Sequence, residues 1–144
     1  MVHYGLSVML NMLSGSDESV RVYKESLGKV ITDIIFGKDD YDDPDYRSNL
    51  ILKFSDNTSI LIKDTGQSCC ELRYMTTDDN LADFIGATFV GMDIKQALDI
   101  EEVDIEEHEV QFLDINTSKG TFTMSTHNEH NGYYGGFSIT IKAL

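Results

Sequence analysis

The stretch Thr121 to Lys142 constrains the fold most, because a tight reversal at Asn131-Gly132 sorts every side chain in it onto a sensible face. Asn-Gly is the strongest two-residue hairpin signal, since a type I′ turn needs positive φ at both central positions. The register that follows puts Phe122, Met124, Thr126, Asn128 and His130 on one face with Ile141, Ile139, Phe137, Gly135 and Tyr133. This is the expected core face. Thr123, Ser125, His127 and Glu129 share the other with Thr140, Ser138, Gly136 and Tyr134, which water accepts. The apolar stripe ends, at the tip, in a polar and aromatic cluster.

The rest of the chain reads as a mixed sequence. Leu6, Met9, Leu10 and Leu13 fall at helix spacing, and a second short helix starts near Ser16, where Ser14-Gly15-Ser16-Asp17 has capping-box form, and stops at Gly28. From Lys29 the period changes to that of strands: Val30 to Phe36, Leu50 to Phe54 and Ser59 to Lys63, the last two joined by a turn at Ser55-Asp56-Asn57-Thr58. Leu72 to Met75 is a short extended piece, and Thr76-Thr77-Asp78-Asp79 caps a helix from about Asp78 to Ile85, ended by Gly86. Thr88 to Ile94 and Val110 to Ile115 are strands, the second turning at Ser118-Lys119-Gly120 into the final hairpin. The reading is α+β: a mostly antiparallel β-sheet with N-terminal helices and one short middle helix packed on it. It forms a single domain over 1–144, with a helical segment at 1–28 and a sheet-rich core at 29–144.

A chain of 144 residues buries roughly two-thirds of its unfolded surface, enough for one core. Its formal charge of −14 repels nucleic-acid phosphate and anionic lipid and favours a basic protein partner. Direct nucleic-acid and membrane binding are disfavoured. The charge is concentrated in two stretches: Asp39, Asp40, Asp42, Asp43 and Asp45, and then Asp99, Glu101, Glu102, Asp104, Glu106, Glu107 and Glu109. The first lacks the glycine and the alternation of an EF-hand and carries Pro44. As spaced carboxylates, both suit a basic cleft in which they stand in for phosphates. The two cysteines are adjacent, Cys69-Cys70, and staple no long loop. Met1 to Leu13 lacks a basic n-region and a cleavage site and is too short to span a bilayer, so a cytoplasmic location is expected. An exposed apolar face on that helix would favour self-association, and the alternative is that the same face covers the sheet.

His127, Glu129 and His130 invite a metal reading, but side chains alternate along a strand, so the two imidazoles belong on opposite faces. No metal or other cofactor is expected, and a metal-assisted hydrolase using these residues and the cysteines is the least favoured reading. The ligand reading rests on Gly135 and Gly136, which mark either a bend or a close approach within a strand. A recess walled by Tyr133, Tyr134 and Phe137 and edged by Asn128 and His130 suits a small nucleotide-like ligand.

The segments Leu-Gly-Lys-Val-Ile-Thr-Asp-Ile (27–34), Leu-Ile-Leu-Lys-Phe-Ser-Asp-Asn-Thr (50–58), Gly-Gln-Ser-Cys-Cys-Glu (66–71), Phe-Ile-Gly-Ala (84–87) and His-Asn-Glu-His-Asn-Gly-Tyr-Tyr-Gly-Gly-Phe (127–137) occur in this order. Together they resemble a family of small uncharacterised tailed-phage proteins over residues 27 to 142. The resemblance implies a phage-type accessory protein acting in the host cytoplasm. The expectation is a non-enzymatic inhibitor of a host defence component, such as a nucleic-acid-handling nuclease complex, that engages a basic host surface through the acidic residues at 39–45 and 101–107.

Overall fold

The structure, a computed structural model, describes residues 2–4, 17–38, 48–66, 70–96, 107–132 and 135–144. In chain order the elements are β1 (Val2–Tyr4), α1 (Asp17–Ser26), β2 (Ile31–Lys38), β3 (Ser48–Phe54), β4 (Ser59–Asp64), β5 (Glu71–Thr76), a 3-10 turn (Leu81–Phe84), β6 (Phe89–Gln96), β7 (Glu107–Thr117), β8 (Gly120–His130) and β9 (Ile139–Ala143). The architecture is the mostly antiparallel α+β type, and its strands divide into two sheets. One has the order β1-β6-β7-β8-β5, with the three-residue β1 at its edge, and the other β2-β3-β4-β9.

Alternation drives this division. Along β4 and β8 every second residue is buried, as expected of strands with one face in a core and one outward. The inner faces of the two sheets supply one continuous cluster: Leu50, Leu52, Ile60, Ile62, Ile139 and Ile141 from one, Phe89, Met92, Leu113, Ile115, Phe122 and Met124 from the other. Fully burying a side chain of this kind contributes about 1.5–3 kcal/mol. The sheets are stitched at one corner by backbone bonds between the lead into β2 and the lead into β6: Gly28 N–H to Phe89 O, Phe89 N–H to Lys29 O, and Ile31 N–H to Ala87 O.

Helix α1 closes an edge. Its buried positions Ser19, Val22, Tyr23 and Ser26 follow helical spacing, and Asp17 and Glu18 in the first turn with Lys24 in the last suit the helix dipole. Gly28, at φ +86°, lets the chain leave the helix. Ser19 Oγ accepts the Ile141 N–H at 3.0 Å, and the Tyr23 hydroxyl accepts the Met92 N–H at 3.0 Å. The helix thereby satisfies backbone donors of β9 and β6 that would otherwise be buried without partners.

Three expectations are corrected. The final hairpin does not form: β8 pairs with β7 on one side and β5 on the other, while β9 pairs with β4. Both edges of β8 are occupied, so residues 135–138 carry the chain across to the second sheet. The face assignment survives, since Phe122 and Ile141 are both fully buried, but they point into the core from opposing sheets. The true hairpin is β7–β8, closed at Thr117–Gly120. Second, Asp78 to Ile85 holds only the 3-10 turn Leu81–Phe84. The would-be caps bond elsewhere: Thr77 Oγ1 donates to Thr123 O at 2.8 Å and Asp79 Oδ2 accepts the Thr123 N–H at 2.7 Å. Their side chains continue the β8 ladder beyond the end of β5. Third, the N-terminal segment is not helical from its start, because Val2–Tyr4 adds to β6. The helix expected over Leu6 to Leu13 lies outside the described residues.

Candidate ligand cleft and buried ion network

Arg73 stands on the inner face of β5, across from Asn128 on β8, and is only 5% exposed. A buried guanidinium demands opposite charge and full hydrogen bonding. Glu71 supplies one carboxylate, whose Oε2 accepts from Arg73 Nε at 2.9 Å and Nη2 at 2.8 Å. Asp64, the last residue of β4, supplies the other: its Oδ1 accepts from Arg73 Nη1 at 3.0 Å, Gly66 N–H at 2.8 Å and Ser138 N–H at 3.3 Å. The network ties β5 of one sheet to β4 of the other and to the segment entering β9. Asn128, fully buried, donates to Glu71 Oε2 at 2.8 Å and to Gly136 O at 2.9 Å. Asp64 Oδ2 and Asn128 Oδ1 are buried acceptors left over.

His130 extends this chemistry toward the surface. The Gly132 N–H donates to its Nδ1 at 3.0 Å, so the ring proton sits on Nε2 and is donated to Glu109 Oε1 at 2.6 Å. Side chains approach glycine closely at two positions. A Cβ at Gly66 would overlap the Arg73 guanidinium, and one at Gly135 would lie 2.5 Å from Glu109 Oε1. At Gly135 an added carbon would displace the end of the Glu109 side chain from its contact with His130.

An open cleft of about 440 Å³ lies where β5 begins and β8 ends, lined by Cys70, Glu71, Leu72, Glu129, His130 and Asn131. Cys70 presents an exposed thiol, and its backbone is left-handed at φ +70°. Among the described residues no lysine or arginine is in this lining; of its two carboxylic residues, Glu71 is already paired with Arg73 and Glu129 is left to the opening. The cleft suits a ligand that is cationic or rich in hydrogen-bond donors.

On the outer face of the same sheet, the His127 ring stacks on Tyr74, with centroids 4.6 Å apart and planes 6° from parallel. His127 Nε2 is 2.9 Å from Thr76 Oγ1, and its Nδ1 is 2.9 Å from His108 Nε2. Burial, and then the neighbouring His108, push the His127 imidazole below its ordinary pKa. Farther along that face a smaller cleft, lined by Lys95, Phe112, Asp114 and Thr123, holds a Lys95–Asp114 ion pair that raises the Lys95 pKa.

The expected ligand recess is rearranged. Asn128 and His130 face the buried network, Phe137 is partly buried against the core, and Tyr133 and Tyr134 lie outside the described residues. His127 and His130 point to opposite sides of β8, outward and inward. Asp39, Asp40, Asp42, Asp43, Asp45, Glu101, Glu102, Asp104 and Glu106 also lie outside the described residues. Glu107 opens β7 opposite His130. Arg73 with Asp64, and the pair His108 and His127, were missed. One local signal was present: Arg73 is two residues from Met75, hence on the same face of a strand whose Met75 is core.

The fold is a small, mostly antiparallel α+β domain with a buried ion network beside an open cleft. Residues 20–140 match the family described as a domain of unknown function, DUF7448, and the chain belongs to that family. No curated protein and no solved structure matches the chain.

Proposed function

We propose that the chain is a non-enzymatic interaction module that engages a basic partner, with the cleft between Cys70 and Asn131 receiving a lysine or arginine side chain of that partner. The observation that carries this reading is the lining itself, in which Glu129 is the carboxylate not already held by Arg73 and no described residue is a lysine or arginine, on a chain of formal charge −14. Steered association of this kind is fast and salt-sensitive. The acidic runs at 39–45 and 101–107 belong to the same reading as a wider docking surface. In its most specific form the partner is a nucleic-acid-handling enzyme of a host defence system, whose basic channel the carboxylates occupy. An anionic, nucleotide-like ligand in the cleft is the weaker reading, because its phosphates would meet Glu129 and the negative field of the chain.

Titration of the labelled chain with a capped lysine-rich peptide tests it at low and high salt. The expected result is amide shifts at Cys70–Leu72 and Glu129–Asn131 that vanish at high salt and in Glu129→Lys. Binding unchanged both in that variant and after Asp42, Asp43, Glu106 and Glu107 are together replaced by lysine would reject it.

A further inference from the structure

We propose that His108 and His127 form a two-imidazole chelate for a divalent transition cation that favours right-angled coordination, Ni²⁺ or Cu²⁺, on the outer face of the five-stranded sheet. The cross-strand register places them diagonally: Val110 is opposite His127 and His108 opposite Glu129, so both rings project to the same side. Nδ1 of His127 and Nε2 of His108 are 2.9 Å apart. At metal–nitrogen distances of about 2.0–2.1 Å, that separation corresponds to an N–metal–N angle of about 90°. A tetrahedral ion would need the nitrogens about 3.3 Å apart, so the geometry suits square-planar or octahedral ions better than Zn²⁺.

The His127 ring is fixed independently of any ion. Tyr74 stacks along its plane, and Thr76 Oγ1 lies 2.9 Å from Nε2, where it accepts from the Nε2–H tautomer, the one that leaves Nδ1 as a lone-pair donor on the His108 side. A hydroxyl or carbonyl holding the far nitrogen of a ligating imidazole is the usual outer support of a metal site. In that tautomer, and without an ion, His108 donates its Nε2 proton across the 2.9 Å gap. On binding, His108 carries its ring proton on Nδ1 instead and its ring turns, so that its lone pair and that of His127 converge on a cation to one side of the line joining the two nitrogens. Among the described residues no three His, Cys, Asp or Glu side chains are grouped for an ion. The protein therefore contributes two nitrogens, and water or an incoming donor completes the coordination. Glu129, across from His108, adds negative charge that favours a cation.

The test is calorimetric titration of the full chain, free of any histidine tag, with Ni²⁺ and separately with Zn²⁺. One equivalent of Ni²⁺ is expected, bound more tightly than Zn²⁺, and at least about tenfold weaker in His108→Gln and in His127→Gln. His3→Gln and the double variant Cys69→Ser, Cys70→Ser should bind as the parent does. In the unsubstituted chain, substoichiometric Cu²⁺ should broaden the ring signals of His108 and His127 before those of His3 and His130, which decides the matter if the variants do not fold. Absence of stoichiometric Ni²⁺, binding that survives both histidine variants, loss with the cysteines, or first broadening at His3 or His130 would each overturn the proposal.

Discussion

Arg73 Nη1 lies 3.0 Å from Asp64 Oδ1 with both side chains less than a tenth exposed, and this ion pair joins the two sheets at the end where the cleft opens. Removing the arginine leaves Asp64 and Glu71 as buried carboxylates without their cation. Breaking a buried pair in this way costs about 3–5 kcal/mol. Arg73→Ala is expected to lower the urea midpoint accordingly, whereas Asp64→Asn, which keeps an acceptor, should cost less. A loss below about 1 kcal/mol for Arg73→Ala, a size typical of exposed pairs, would show that the network is solvated in solution.

Gly66 runs so close to the guanidinium that a methyl group cannot fit without moving it, since the added carbon would sit 2.8 Å from Arg73 Cζ. Overpacking of this kind costs about 1–3 kcal/mol. Gly66→Ala should therefore destabilise the parent chain but much less a chain already carrying Arg73→Ala. A double-mutant cycle measures that coupling, and strictly additive losses would contradict the contact.

The Tyr23 hydroxyl is the acceptor for the Met92 N–H, and its burial raises its pKa. Tyr23→Phe leaves a buried amide unsatisfied, at about 1–3 kcal/mol. Amide exchange at Met92 should accelerate more than at Leu113, on the neighbouring strand. Equal acceleration at both would mean that only global stability had changed.

Much of this architecture is written locally. The alternation in Ser59–Asp64 and Gly120–His130, the turn at 55–58, and the reversal before Gly120 can each be read from neighbouring residues. What is not local is partner choice. Ile139 and Ile141 look alike whether they pair with β8 or face it across the core, because either arrangement buries the same alternate positions. The candidate site suffers from the same ambiguity. Arg73 meets Asp64 only when β5 packs against β4 of the other sheet, and His108 meets His127 only when β7 pairs with β8. Asn128 and His130 were recognisable as inward polar groups at the end of an apolar stripe, but the carboxylates that occupy them, Glu71 and Glu109, come from the flanking strands.

Asp56 offers a test that depends on acidity. In the turn between β3 and β4 its carboxylate accepts from the Thr58 hydroxyl and, at 3.0 Å, from the Thr58 N–H, and it pairs with Lys29 Nζ at 2.9 Å. The Thr58 hydroxyl first, and then Lys29, lower its pKa from 3.8 to about 2. Because the folded value lies below the unfolded one, the carboxylate's contribution is fully present above about pH 4 and is lost as the pH falls through about 2. The stability difference between the parent and Asp56→Asn should be constant from about pH 5 to 7 and shrink on acidification below about pH 4. Melting temperatures of the two chains, measured in parallel across that range, check this. A difference that stays flat down to pH about 2, or one that widens, would mean that the Thr58 and Lys29 contacts do not favour the ionised form.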